Sequence, residues 1–345
     1  MKSRKQYWIL LLFCAGIIFN AVNLDVVEGE SQSFASVSAE TPPEKDEPQE
    51  VPILEDSADG MNIIDKHQSL MAGGAVEARS ARSEHGLTYQ LADGRKAVLL
   101  SSATITYQDR FGRNQIIDNR LVTDASIDGY QYKNQAHAFS VFFPEQADRQ
   151  SDILIRSQAA HEIHLWQQVE LWYEDASGES VKISSALEST GVVEENTMTF
   201  PERYPGISEV FVVRYAGLKH NLELARLPGF LSGRQGGFLA FQETMVLPQG
   251  TQVLVEGQLK TKNFTTDQEI FFNDSEGEFI GKIPVPWAHE NTREAYDPEQ
   301  DEKVFLTSAV QFIEDHVIRI STRVPVPWLK AAGRHYPVTV DPNYT

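Results

Sequence analysis

The sequence predicts an all-β protein of the β-sandwich type, and three observations lead to this fold class. From Leu87 onward, turn signals recur about every ten residues and separate short runs rich in Val, Ile, Phe and Tyr, which is the rhythm of a sandwich or barrel. Several runs alternate apolar and polar residues, as half-buried strands do, including 162–166, 169–172 and 252–259. No long stretch has the period of an amphipathic helix.

The turn signals mark where the predicted strands end. Each contains a glycine, the residue that most easily adopts the backbone conformations that tight turns require. The signals are Asp93-Gly94, Phe111-Gly112, Asp128-Gly129, Ser177-Gly178, Pro205-Gly206, Gly236-Gly237, Gln249-Gly250 and Glu276-Gly277.

The N-terminal segment predicts export. Lys2, Arg4 and Lys5 precede an apolar run at residues 7–19. This run is shorter than the roughly 20 residues of a membrane-spanning helix and fits a secretory signal. We expect residues 1–29 to be a signal peptide or a retained anchor. Lipidation of Cys14, the single cysteine, is a further alternative.

The chain is acidic, with a net charge of −19 over 345 residues. This charge argues against a nucleic-acid partner, because phosphate binding needs clustered Lys and Arg. The acidic residues concentrate between Asp25 and Asp59, where Lys45 is the only basic residue. We expect residues 30–85 to be an acidic disordered linker. Residues 61–85 also allow a short helix around 63–70 that ends at Gly73-Gly74.

The folded part is expected to comprise a first β-sandwich at residues 86–190 and a second at 191–345. The weakly patterned stretch 185–196 separates the two sets of predicted strands. The same pattern is compatible with two halves of one extended sandwich, and the sequence leaves both arrangements open.

In two kinds of candidate metal site, the residues are not spaced along the chain as metal ligands need to be. The segment His161-Glu162-Ile163-His164 places its histidines three residues apart in a predicted strand, where such residues point to opposite faces. The acidic turns 175–179, 273–277 and 297–301 lack the spacing of a calcium-binding loop. His220 and His289 have no partner at ligand spacing. We expect no metal site.

Carboxylates and aromatics concentrate in one predicted strand. Glu170, Glu174 and Asp175 lie among Trp166, Trp172 and Tyr173, which allows a sugar-binding or sugar-hydrolysing face. The alternative is that the aromatics pack in the core and across strands. An exposed row that included Trp287 would favour sugar binding, and burial would favour a structural role. The sequence contains no Ser-His-Asp signature and no glycine-rich phosphate loop.

Residues 103–144 read ATITYQDRFGRNQIIDNRLVTDASIDGYQYKNQAHAFSVFFP. This stretch resembles the opening region of secreted bacterial Rhs/YD-repeat and wall-associated proteins, whose pattern is Y-x-D-x-x-G-x-W-x-x-I-D followed by G-Y-x-Y-K-N-x-A-x-x-F-S-V-x-F-P. Asn114 stands where the family has Trp. The positions that match are Tyr107, Asp109, Gly112, Ile117, Asp118 and the segment 129–144.

Later segments resemble the same family in the same order. The family's Y-x-D-V-x-P-G-x-D-L-x-Y motif is similar to FPERYPG at 200–206 together with Tyr215. Its G-L-K-E motif is similar to the Gly217-Leu218-Lys219 triplet. His220 replaces the usual acidic residue. IPVP at 283–286, WL at 328–329 and YPVTVDP at 336–342 are similar to its I-P-A-P and W-L…Y-P-V-T-I-D-P motifs.

The resemblance implies an exported structural or interaction module. Relatives continue after the Asp341-Pro342 position into repeat arrays, whereas no internal repeat of roughly 20–50 residues occurs here. We therefore expect an exposed β edge or apolar patch that binds a protein partner, such as a YD-repeat protein encoded nearby. The predicted protein is secreted or at the cell surface, is not an enzyme and has no cofactor, metal or catalytic residue. A carbohydrate-binding or adhesive module is the alternative, and a membrane contact is expected only if the N-terminal segment is retained.

Overall fold

The computed structural model describes residues 61–291 and 303–345. The predicted signal or anchor segment 1–29, the linker residues 30–60 and the acidic turn 297–301 lie outside the described residues.

A small region at residues 61–117 precedes the sandwich and has its own apolar core. Its three-stranded sheet has the order β1-β2-β3, and β4 pairs with β5. Its elements are α1 (Met61–Ala72), β1 (Val76–Glu77), β2 (Gly86–Gln90), β3 (Lys96–Leu100), β4 (Thr106–Gln108) and β5 (Asn114–Ile116). The buried residues of its core are Ile63, Ala75, Leu87, Tyr89, Leu99 and Ile105.

Helix α1 confirms the short helix suggested for this part of the chain. It ends at Gly73 and Gly74, and Gly74 has φ 83°, a left-handed conformation typical of helix C-termini. Residues 61–85 therefore fold instead of extending the disordered linker. The reason is that Ile63 and Ile64 are both buried, and they supply the apolar contacts that the preceding acidic stretch lacks.

The remaining residues form an all-β structure of antiparallel sheets. The strands are β6 (Asp118–Thr123), β7 (Tyr132–Ala136), β8 (Phe139–Phe143), β9 (Gln146–Ala147), β10 (Ile153–Ser157), β11 (Glu162–Glu174), β12 (Ser180–Ser185), β13 (Ser189–Thr190), β14 (Val192–Glu194), β15 (Thr197–Tyr204), β16 (Ile207–Arg214), β17 (Gly217–Leu224), β18 (Phe238–Val246), β19 (Gln252–Val255), β20 (Gln258–Lys260), β21 (Phe264–Thr266), β22 (Ile270–Asn273), β23 (Phe279–Ile283), β24 (Trp287–Glu290), β25 (Lys303–Phe305), β26 (Thr307–Glu314), β27 (Val317–Pro325) and β28 (Val338–Asp341). A one-turn helix α2 (Val326–Leu329) and 3-10 turns at Arg79–Ala81 and Gly229–Leu231 complete the description.

Three sheets build the sandwich. The largest has the order β21-β26-β27-β18-β11-β10-β8-β7-β6, with β12 paired to β11 as a tenth strand. The second has the order β14-β15-β16-β17-β28-β24-β25, and a smaller sheet has the order β20-β19-β22-β23. Inward-facing aromatics join the two large sheets: the rings of Phe143 and Trp166 lie 5.9 and 5.0 Å from that of Phe211.

The ranges 86–190 and 191–345 share one sheet and one core. Strand β11 pairs along much of its length with β18, which lies on the other side of the expected boundary. One apolar cluster includes buried residues from both ranges, such as Leu171 and Phe241. This is the arrangement of one extended sandwich, because a single apolar core joins the strands of both ranges.

The predicted turns agree closely with the structure. The glycine at the second position of all eight signals has a positive φ, between 73° and 90°. In the hairpin turns at Asp109, Asp175 and Asp274, one carboxylate oxygen accepts backbone N–H groups from the residues two and four positions ahead. The acidic side chains of turns 175–179 and 273–277 thus stabilise the turn itself.

The C-terminal residues are part of the fold. Strand β28 lies between β17 and β24, and Leu329, Val338 and Val340 are buried as large apolar residues near a docked chain end should be. Trp328 and Tyr336 are half-buried. Neither α1 nor α2, the helices of the described part of the chain, has the length and apolar composition needed to cross a membrane.

Candidate functional site

The segment 161–164 divides between two faces, as the strand period predicts. His161 lies on the inner side near Ile163, whereas His164 Nδ1 contacts the Asp152 carboxylate at 2.5 Å on the other face. The other Asp152 oxygen accepts the Tyr130 hydroxyl at 2.6 Å, and hydrogen bonding to Asp152 raises the pKa of His164. No group of three or more His, Cys, Asp and Glu side chains among the described residues is placed to hold a metal ion.

The aromatics and carboxylates of β11 do not form one surface. Trp166 and Tyr173 are buried, with 4 % and 5 % exposure, whereas Trp172 is half-buried on the outer face. Glu170 accepts the Trp172 indole N–H at 3.1 Å and pairs with Lys182. Glu170 and Glu174 are four strand residues apart, roughly 13 Å, which exceeds the separation of a glycosidase carboxylate pair.

Trp287 lies on the other large sheet, away from β11. The Lys303 ammonium lies 3.7 Å from the centroid of its ring, and the His289 ring stacks on it at 4.8 Å. The π-surface that a sugar ring would need is therefore already in contact with protein groups. The exposed aromatic row that would favour sugar binding is not formed by these four residues.

A cluster of ionisable side chains lies in the core between the two large sheets. Arg203 is 2 % exposed, and its Nε lies 3.3 Å from Glu209 of β16. Its other nitrogens donate to the carbonyls of Ala147 at 2.7 Å and Asp148 at 3.1 Å, and to the carbonyl of Leu187. Arg203 thereby joins two backbone segments, at 147–148 and at Leu187, to the second sheet.

Glu243 faces this cluster from β18 on the opposite sheet. Burial raises its pKa well above the ordinary glutamate range, and the nearby Glu209 carboxylate raises it further. Burial also raises the pKa of Glu209, against the opposing effect of Arg203. The Trp166 indole N–H lowers the pKa of Glu243, although its geometry falls short of a hydrogen bond. A protonated Glu243 is therefore the favoured form in the core.

Backbone strain places Trp166 in this cluster. Trp166 and Gln168 have φ of 58° and 51°, and the pairing of β11 with β18 shifts register on both sides of Gln167. These bulges turn Trp166 inward beside Leu165, against the alternation that would place it on the outer face. Its ring meets the buried His220 edge-on at 4.7 Å, and burial lowers the pKa of His220 to about 3.

An apolar cleft opens elsewhere, at the junction of three hairpins. It has a volume of about 220 Å³. Its floor is formed by the buried Ile155, Ile163 and Leu218, and Phe279 stands at its rim with 59 % exposure. The polar side chains in its lining are Ser157, His161, Tyr344 and Thr345, of which the last two belong to the C-terminal segment. Exposed apolar concavities of this kind accept apolar groups of a ligand or partner.

Sequence reasoning missed this cleft because its walls come from distant segments. Residues near 139, 155, 217, 280 and 344 meet only in the folded chain. The available signal was local: Gly217 and Gly281 stand in strands where a glycine often marks a close backbone approach. A Cβ at Gly217 would lie 2.6 Å from the Thr345 Cα, and one at Gly281 would overlap the Tyr344 hydroxyl.

The segments that carry the family resemblance also meet in the fold. Lys219 Nζ lies 3.1 Å from the buried carboxylate of Asp341, which joins the Gly217-Leu218-Lys219 and Val340-Asp341-Pro342 triplets. Asn134 accepts the Val141 N–H at 2.8 Å and fixes the β7–β8 hairpin. Comparisons with protein-family models, curated proteins and solved structures found no match to this chain.

Proposed function

We propose that this protein is an exported, non-catalytic β-sandwich module that binds a protein partner through the apolar cleft. The observation that supports this proposal is the cleft itself: its lining is mostly apolar, and Phe279 at its rim is exposed. Leaving such surface in water is unfavourable, and a partner that covers it gains the free energy of apolar burial.

The placement of the ionisable groups supports binding over catalysis. An enzyme needs its acid, base or nucleophile at a place that substrate can reach. Here Glu209, Glu243 and His220, whose pKa values burial shifts, lie in the closed core between the sheets. The cleft lining is mostly aliphatic and aromatic, and it contains no carboxylate side chain.

The proposed partner and location follow the family resemblance. A bacterial cell-surface protein with YD repeats, encoded nearby, is the partner that we propose. Export rests on the basic residues and the apolar run of the first 19 positions. Fusing residues 1–29 to a phosphatase that is active only outside the cytoplasm tests export, and an inactive fusion would contradict it.

Site-specific photo-crosslinking in the native host tests partner binding. A benzophenone amino acid replaces Phe279 at the cleft rim, and a matched variant carries it at Phe111, which is 66 % exposed on the β4–β5 hairpin. We expect one discrete crosslinked protein from position 279 and not from position 111. Equal crosslinking from both positions, or binding to a glycan array with no crosslinked protein, would favour the carbohydrate-binding alternative.

A further inference from the structure

One ion pair of the second large sheet is closed off from water. Lys219 of β17 and Asp341 of β28 lie on neighbouring antiparallel strands, and Lys219 Nζ is 3.1 Å from Asp341 Oδ2. Asp341 is 1 % exposed, and the Lys219 side chain is 17 % exposed. Water is therefore largely excluded from the place where the two side chains meet.

The Asp341 carboxylate lacks the hydrogen bonds that would stabilise its charge. Lys219 approaches Oδ2 without the alignment of a hydrogen bond, and neither oxygen has another partner among the described residues. Burial raises the pKa of Asp341, and the contact with Lys219 and the charges of Arg214 and Lys303 oppose this effect only in part. A buried carboxyl group in such surroundings favours its neutral, protonated form.

A second ammonium lies beside the same pair. The Nζ atoms of Lys219 and Lys303 are 5.7 and 3.7 Å from the centroid of the Trp287 ring. Burial lowers the pKa of Lys303, and the charge of Lys219 adds to this effect, against the opposing effect of Asp341. Two ammoniums that share one aromatic ring and one buried carboxyl group repel each other, which favours the loss of a proton from the pair of lysines.

We propose that Lys219 and Asp341 condense to an intramolecular isopeptide bond that joins β17 covalently to β28. One proton first moves from Lys219 Nζ to Asp341 Oδ2, which leaves a neutral amine beside a carboxyl group. The amine then attacks Asp341 Cγ: the C–N bond forms, the bond from Cγ to Oδ2 breaks, and one amine proton leaves with the hydroxyl as water. The reaction needs no oxidant, reductant or further reactant.

The fold supplies what this condensation lacks in water. Neighbouring strands hold the amine and the carboxyl group in contact, which gives the reaction a high effective concentration. The amide product carries no charge, so its burial costs less free energy than burial of the ion pair. The bond also closes the loop of chain between 219 and 341 and restricts the unfolded state as a disulfide does, in a chain whose single cysteine is Cys14.

Peptide mass spectrometry of the full chain after trypsin digestion tests the proposal. Trypsin does not cut after an acylated lysine, so we expect residues 215–226 to remain intact and to be joined to the peptide that begins at His335. The branched product should weigh about 18 Da less than its two parts together, the mass of one water molecule. The internal control is the half-exposed pair of Lys133 and Asp124 at 2.9 Å, where normal cleavage after Lys133 is expected.

Variants identify the reacting groups. Lys219→Arg keeps the positive charge and removes the nucleophilic amine, and Asp341→Ala removes the carboxyl group. We expect both variants to have their calculated mass, whereas the wild type and Lys303→Arg fall about 18 Da short of theirs. The thermal midpoint of Lys219→Arg should lie at least about 5 °C below that of the wild type, because a cross-link around a long loop is lost.

The wild-type digest decides the proposal even if a variant fails to fold. Cleavage after Lys219 and an unlinked peptide from His335 would overturn it. A branched peptide at Lys303 would overturn the assignment of Lys219 as the nucleophile, and a loss of water within a linear peptide would overturn the cross-link. None of these measurements involves the apolar cleft, so their failure leaves the proposed function unaffected.

Discussion

Two regions of the molecule reverse the usual distribution of polar and apolar groups: the core that lies between the large sheets, and the apolar cleft. The core holds Arg203, Glu209 and Glu243, all nearly inaccessible to water. The cleft has a mostly apolar lining and leaves Phe279 exposed at its rim. Most proteins place charges outside and aliphatic groups inside. In this molecule the ionisable side chains of the core stabilise or specify the fold, and the apolar side chains of the cleft form the accessible surface.

This contrast explains why motif reasoning alone is a poor guide to the site. Arg203 lies in the FPERYPG segment that carries the family resemblance, yet its partners are backbone carbonyls and one buried carboxylate. A buried arginine of this kind orients segments and leaves no group for a ligand. We therefore expect substitutions in the core to change stability and spare binding, and substitutions in the cleft to do the opposite.

The largest expected effect is the loss of Arg203. Arg203→Met leaves Glu209 buried without its cation and three carbonyls without a donor, and we expect a loss of about 3–5 kcal/mol in the free energy of unfolding. Urea denaturation measures it. The control is Arg156→Met in the half-exposed pair with Glu162, which should cost less than about 1 kcal/mol. Similar losses for the two variants would show that the core cluster has no special role.

The next effect depends on pH. The folded-state pKa of Glu243 is raised above its unfolded value, so the folded protein binds the extra proton. The stability that Glu243 contributes is then fully present below its unfolded pKa and is lost as the pH rises towards the folded pKa, by about 1.4 kcal/mol per pH unit. Glu209 has the same direction of shift and adds to the slope.

Glu243→Gln should flatten this dependence. The amide keeps the shape of the protonated carboxyl and cannot ionise, so the variant should match the wild type near pH 5 and exceed it at higher pH. Denaturation midpoints from pH 5 to 9 measure the difference. An unchanged pH profile would mean that Glu243 is ionised in the folded protein.

A smaller gain is expected from His220. Neither ring nitrogen has a hydrogen-bond partner among the described residues, and the ring stacks on Phe211 at 4.4 Å. His220→Phe retains the stacking and removes the buried polar atoms, so we expect about 1–2 kcal/mol of added stability at pH 7. Thermal unfolding measures it. Destabilisation by this variant would indicate that the imidazole nitrogens have a polar partner in solution.

The smallest effect on stability is expected in the cleft. Ala216→Phe changes an exposed turn residue, and the free energy of unfolding should change by less than about 0.5 kcal/mol. Urea denaturation measures this. A large loss of stability would show that the cleft is part of the packed core, and the contrast between the two regions would fail.

Much of the local structure could be predicted from the sequence. The eight glycine turns were correct because a positive φ is a property of one residue and its neighbours. The opposite faces of His161 and His164 followed from the strand period in the same way. The all-β class could be predicted from the spacing of the turns and from the alternation of apolar and polar residues between them.

The errors arose where distant segments decide the outcome. Residues 162–165 alternate as a strand should, yet Trp166 turns inward beside Leu165 because β18 pairs with β11 through two register shifts. Residues 61–85 were expected to belong to the linker. They fold because they pack into a core whose six buried residues are spread from Ile63 to Ile105. The sequence showed neither, because side-chain spacing within one segment contains no information about its partner strand.

The sequence by itself determined the fold class, the turns and the direction of most strand side chains, because these depend on backbone preferences and hydrophobic alternation over a few residues. Only the tertiary structure decided that Lys219 meets Asp341, that Arg203 and Glu243 share a core, and that five separate segments surround one apolar cleft. Those contacts depend on which strands pair and in what register, and the free energy that selects the pairing is summed over the whole packed sandwich.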